Sequence, residues 1–408
     1  MTFKTLSDTP LRASRTLFLT AWCVASLAAC GGDSPTGAGS KHDPTITVVA
    51  KAYLDTAVSY PYTYFYYHSR VNWDTLYSHA YNRARDAQTT AQTWPAIDSL
   101  LRELNDPHTF FYLPSQTLGV NDDPATPFYT PTEWSPASRV AYLWVPTFGG
   151  KSMAGRGDTI QKIIARGDST PNLCGWILDL RGNPGGLWPA MLAGLSPLIT
   201  PGIVGGFVGP SNSFTVNYEV QPGYAGFIQD GTHYTGLRLA QTYTLAHPGL
   251  PLAILQGDIT ASAGEIIVMS FKEPARAVRT FGANTYGVTS QPYTFQMRDT
   301  ASLQITAAIM FDRQGHGYDG GAIAPDQAVA GPTIRSSYVP AQAHDAVLDA
   351  ATIWVKSQPS CTTSAAVADA LRIPDPTAGR WRAVTPPPSA IPLPKGKPSP
   401  FAAGVPVR

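Results

Sequence analysis

The stretch GWILDLRGNPGG at residues 175–186 constrains what this chain can fold into more than any other. Its first six residues are a short apolar run of the kind that fills a strand buried on both faces. RGNPGG then puts three glycines and a proline into a turn, and LWPAMLAGLSPLI (187–199) resumes as an apolar helix. A strand that feeds a helix through a glycine turn is a building unit of an α/β sheet. The unit recurs where LAILQG (252–257) passes through DITASAGE into the helical EIIVMSFKE. VAYLWV (140–145), GIVGGFVG (202–209), AVRTFG (277–282) and SLQITAAIMF (302–311) read as further strands, and AGRGDTIQKIIAR (154–166) and AHDAVLDAATIWVKS (343–357) as helices. The expectation is an α/β core with a mixed sheet, spanning residues 139–358.

Ahead of this core, apolar residues recur at helical spacing in ITVVAKAYLDTAV, VNWDTLYSHAYNRARDA and AQTWPAIDSLLREL, which predicts an N-terminal helical region over 45–112. Asn72 or Asp74, and Thr93, can cap the second and third helices. The tyrosine-rich YPYTYFYYH between the first two is expected to be aromatic core, with a docking surface as the alternative. A polar, proline-rich connection covers 113–138. A C-terminal extension runs over 359–408 and is expected to be disordered from about residue 373, where proline dominates.

Residues 1–29 read as a signal peptide: Lys4, Arg12 and Arg15 precede an apolar run too short to span a bilayer, which closes on Leu-Ala-Ala-Cys at Cys30. That ending resembles a bacterial lipobox, in which the cysteine is acylated, with 30–44 as a flexible tether. The chain is then expected on the periplasmic face of a membrane, and Gly31 after the cysteine points to the outer one. Of the four cysteines, Cys174 and Cys361 remain in the core region; in an oxidising compartment they could pair, or stay as buried thiols. The balance of 29 basic and 28 acidic residues carries no basic excess and argues against a nucleic-acid partner.

Two sites could carry chemistry. Backbone N–H groups of the DLRGNPGG turn can hold an anion, either a phosphate or an acyl-transfer oxyanion, or the glycines can simply serve positive φ. No Lys-Ser/Thr follows them, so this is not a P-loop, and GGKS at 149–152 lacks the earlier glycine, having Val145 in its place. Ser262 opens a helix, where it can be an N-cap boxed by Glu265 or a nucleophile beside the N–H of Ala263. It is not a G-x-S-x-G elbow, because Thr260 stands at the first glycine.

ILDLRGNPGG followed by TASAGE resembles the paired signature of the tail-specific, or C-terminal processing, serine peptidases. The resemblance covers roughly residues 45–330. It implies a crotonase-like fold, hydrolysis of peptides or unfolded protein tails, and neither metal nor organic cofactor. It makes Ser262 the nucleophile and the N–H groups of Ala263 and of Gly185 or Gly186 the oxyanion hole, with Asp179 and Arg181 positioning the turn. The chain departs from the family at the usual lysine base: the corresponding segment reads ANTYGVTS, with Val288 at the lysine position. LNDPHTFF (104–111) instead resembles the D-x-H-S/T motif of a branch lacking the PDZ module, where a histidine is the base. His108 matches it, and histidine's ordinary pKa of ~6.5 suits proton abstraction near neutral pH. Asp106, Glu265, Asp312 and Asp326 are candidates for the acid that orients His108, with Glu265 favoured on its spacing from the serine. The rivals are a non-catalytic binder of apolar ligands or peptides on the same fold, and an esterase.

Overall fold

Thr47 accepts a hydrogen bond from Ala50 N–H and starts α1 (Val48–Tyr64), and Asn72 likewise accepts from Thr75 N–H to start α2 (Trp73–Arg83). α3 (Trp94–Glu103) follows with a proline in its first turn; Thr93 precedes it without a side-chain cap, its hydroxyl donating to Thr90 O instead. The computed structural model describes residues 45–114, 139–148, 153–273, 276–332, 345–362 and 377–384, all within the unit that begins at residue 44. The expected signal segment, Cys30, the tether and nearly all of the 113–138 connection lie outside the described residues.

After α3 the chain enters β1 (Phe110–Tyr112), so the region expected to be helical ends as a strand. Strand–helix alternation then proceeds through β2 (Val140–Trp144), α4 (Met153–Asp168), β3 (Gly175–Asp179) and α5 (Trp188–Leu195). Five strands follow: β4 (Gly202–Val208), β5 (Thr215–Gln221), β6 (Tyr224–Gln229), β7 (Thr232–Arg238) and β8 (Gln241–Thr244). The chain then runs through β9 (Leu252–Gln256), α6 (Ala263–Ser270), β10 (Val278–Gly282), β11 (Ser290–Gln296), β12 (Ser302–Asp312) and β13 (Gln327–Ala328). It closes with α7 (Ala346–Ser357), α8 (Pro359–Thr362) and β14 (Arg380–Ala383).

The strands do not share one mixed sheet, as expected from the sequence, but divide by direction. β13-β10-β9-β3-β2 is wholly parallel, whereas β1-β12-β4-β5-β6-β7, with β11 also on β12, is antiparallel. Every residue of β2, β3 and β9 is buried, because both faces of the parallel sheet are covered. Trp176, Leu178, Leu252 and Ile254 face the core shared with α4, α5 and α6; Ile177, Ala253 and Leu255 face Val347, Leu348, Ala351 and Val355 of α7. α1–α3 pack on the antiparallel sheet, against Phe295, Leu303, Ile305 and Ala307. The tyrosine-rich segment belongs to this layer: Phe65 is buried, and Tyr60 and Tyr64 lie 4.5 and 4.8 Å from the Phe295 ring centre.

Two further differences concern the C-terminal part. Cys174 and Cys361 form a disulfide, with Cα atoms 4.9 Å apart, tying α8 to the start of β3. β14 pairs with β8, so the extension expected to be disordered from about residue 373 contributes an ordered strand at Arg380–Ala383.

Candidate active site

The glycine turn is held rigidly from below. Asp179, the last residue of β3, accepts from the Arg181 backbone N–H at 3.0 Å and from its guanidinium, and Tyr142 donates to it at 2.7 Å. The other edge of the guanidinium meets Asp345 at 2.7 and 2.8 Å, a bidentate, buried pair. Asp345 also caps α7. Asp179 and Arg181 therefore sit where positioning residues would, and Asp345 joins them from far along the chain. Asn183 closes the turn: its amide donates to Val145 O and Pro146 O, its Oδ1 accepts from Gly185 N–H at 2.8 Å, and its carbonyl accepts from Ala261 N–H. Gly185 and Gly186 have φ of 107° and 112°, so glycine is required at both.

Ser262 stands at the corner between β9 and α6 with φ of 50° and ψ of −114°, a conformation unfavourable for a residue with a Cβ. A Cβ on Gly185 would lie 2.9 Å from the Ser262 Cβ and 3.2 Å from Ala263 N. The turn and the serine corner are thus in contact. The N–H groups of Ala263 and Gly186 have no partner among the described residues, whereas that of Gly185 is taken by Asn183.

Glu265 is not placed to orient the histidine. Its buried carboxylate accepts from Ser262 N–H at 2.8 Å, from the Thr285 hydroxyl, and from Gly287 and Val288 N–H, both at 3.0 Å. Burial raises its pKa above the ordinary value, against the pull of those four hydrogen bonds. Sequence spacing alone could not see that α6 turns this side chain toward residues 285–288. Val288 itself is buried, and Lys272 bonds Asp326 at the far end of α6.

His108, between α3 and β1, is 8% exposed, and its Nδ1 lies 2.9 Å from Ser290 Oγ on β11. Ser290 Oγ is 3.4 Å from Thr306 Oγ1 on β12, and Thr306 donates to Asp106 Oδ2 at 2.7 Å, as does Thr109. Burial pushes the His108 pKa down to about 4, against the opposing pull of Asp106 and Ser290. Of the four candidate acids, Asp106 is therefore the one connected to His108, through two hydroxyls. Asp312 is occupied by Tyr318 and by N–H groups of residues 314 and 316, and Asp326 by Thr280 and Lys272. Ser290 and Thr306 escaped the sequence reading; their signal was a run of hydroxyl residues at alternate strand positions, which is common in any sheet.

Ser262, Ala263, Gly185, Gly186 and His108 line one cleft of about 540 Å³. Phe110, Tyr112, Phe148, Leu187, Trp188, Ile266, Tyr286 and Met310 supply its apolar walls, and none of the described lining residues is Asp, Glu, Lys or Arg. A hydroxyl, an imidazole and two unpaired N–H groups in one water-poor cleft are the parts that acyl transfer needs.

Comparison with known proteins agrees with this arrangement. The family model described as peptidase family S41 matches residues 139–329. The nisin-resistance protein of Lactococcus lactis subsp. lactis is 35% identical over 155 residues, an alignment covering 38% of this chain and 46% of that protein. The chain thus spans about half the length of this curated relative. Among solved structures, a lipoprotein from Streptococcus agalactiae superposes with a TM-score of 0.56 at 19% identity, covering 76% of this chain and 97% of the other. A structure described as a putative peptidase from Parabacteroides merdae gives 0.50 at 15% identity, covering 78% and 100%. These two likenesses concern the α/β fold.

Proposed function

The chain carries a domain of peptidase family S41 across residues 139–329, and on that premise we propose that it is a serine peptidase acting through an acyl-enzyme on Ser262. The observation that carries this reading is the strained serine corner meeting the glycine turn in a cleft that also holds His108. In the first step Ser262 Oγ bonds to the scissile carbonyl carbon while its proton passes to His108. The N–H groups of Ala263 and Gly186 receive the oxyanion; Gly185 N–H is already committed. The C–N bond then breaks, His108 returns the proton to the leaving amine, and water resolves the ester by the reverse sequence.

The uncharged cleft favours peptides or protein tails with apolar, uncharged side chains around the scissile bond, since a charge buried there would find no counter-charge among the described lining residues. We assign the core to the crotonase-like fold and residues 45–112 to its helical layer. A lipid on Cys30, with the catalytic unit on the periplasmic face of an outer membrane, is consistent with the disulfide, which forms in oxidising compartments. The test is mass spectrometry of apolar peptides incubated with wild type and Ser262→Ala. Fragments that appear with wild type and vanish with the variant are expected; intact peptides in both would leave only binding. Amide and ester substrates of one acyl group then separate a peptidase from an esterase.

A further inference from the structure

We propose that Ser290, Thr306 and Asp106 form a one-way hydrogen-bond relay that fixes His108 as its Nδ1–H tautomer, leaving Nε2 as the basic atom of the ring. The inference rests on the reading of His108 as general base and adds three positioning residues to it.

The direction follows from counting protons. The Asp106 carboxylate can only accept. Thr306 Oγ1 has one proton and gives it to Asp106 Oδ2 at 2.7 Å, so towards Ser290 it can act only as an acceptor. Thr109 also donates to Oδ2, and its own oxygen accepts from Thr306 N–H at 3.1 Å, which keeps its proton pointed the same way. Ser290 therefore gives its proton to Thr306, and at 2.9 Å from His108 Nδ1 it has only a lone pair left to offer. The ring must then carry its proton on Nδ1. A neutral imidazole so arranged has its lone pair on Nε2, the atom free to take the Ser262 proton. No proton moves along the relay during the reaction; Nδ1–H stays on the ring and remains bonded to Ser290 when the imidazolium forms. The longest contact, 3.4 Å between Ser290 and Thr306, is where the relay is weakest and easiest to interrupt.

The test is nitrogen-15 NMR of the full chain with labelled histidine at neutral pH, the His108 signals being identified by their loss in His108→Ala. Wild type should show a protonated Nδ1 and an unprotonated Nε2. Thr306→Val, which removes the acceptor for Ser290, should mix the tautomers and lower kcat about 10- to 10²-fold with KM little changed, within the ~10²–10⁴ that a general base supplies. Thr306→Ser should recover both the tautomer and most of the lost turnover. Asp106→Asn, whose amide can donate toward Thr306, should shift the population toward Nε2–H; if that variant does not fold, the pair at Thr306 decides. A wild-type Nε2–H tautomer, or a population unmoved in Thr306→Val, overturns the relay even if the chain cleaves peptides. The expected tautomers in a chain that cleaves nothing would instead retire the peptidase reading and leave the relay standing.

Discussion

Ser262 holds φ of 50° without being glycine, a conformation that costs about 1–3 kcal/mol and persists only where its surroundings enforce it. Glu265 is the enforcing group, since its carboxylate binds the Ser262 N–H and anchors it to residues 285–288. Glu265→Ala would leave buried donors without an acceptor at about 1–3 kcal/mol each, so a fall of at least about 3 kcal/mol in urea-unfolding stability is expected. Gly185→Ala tests the neighbouring contact: its new Cβ would press on Ser262 Cβ and Ala263 N, and turnover should fall ~10²-fold or more in a chain that still folds. His108 predicts a pH profile. The base must be neutral, and burial pushes its pKa down to about 4. Activity should therefore hold as pH falls past ~6.5, where an ordinary histidine would protonate, and be lost only on passing through the lower value. The same depression means the unfolded chain binds the proton first, so His108 subtracts stability as pH drops between those two values.

At the scale of elements, α7 is a strut for the oxyanion turn. Asp345 caps it and grips Arg181, Arg181 grips Asp179, and the disulfide pins α8, which follows α7, to β3. Asp345→Ala removes both the cap and half of a buried ion pair, and should cost about 3–5 kcal/mol, read as a urea midpoint. Replacing both Cys174 and Cys361 by serine should cost about 2–4 kcal/mol by the same measurement. These elements were partly legible. Strands buried on both faces, such as WIL and LAIL, announce themselves as apolar runs, and α4, α5, α6 and α7 by their period. The antiparallel strands of residues 215–244 went unread because glycines and tyrosines interrupt their alternation. A signal was present even there: Asp230–Gly231, with φ of 49° and 75°, is the hairpin pair that joins β6 to β7.

In the whole molecule the site is assembled from three layers. The parallel sheet brings the glycine turn and Ser262, the junction of helices and β1 brings His108, and β11–β12 of the antiparallel sheet bring Ser290 and Thr306. Motifs revealed the first two, because turn chemistry and a Asp-Pro-His-Thr sequence are local. The third depends on packing residues 108 and 290 side by side, and on the tilt of α6 that sends Glu265 elsewhere, neither of which spacing encodes. The claim that these layers converge on one reactive serine is tested most directly by a fluorophosphonate probe followed by mapping of the modified peptide. The account predicts a single adduct on Ser262, absent in Ser262→Ala and formed far more slowly in His108→Ala. A folded wild-type chain that never reacts, or one that reacts undiminished in Ser262→Ala, would contradict it.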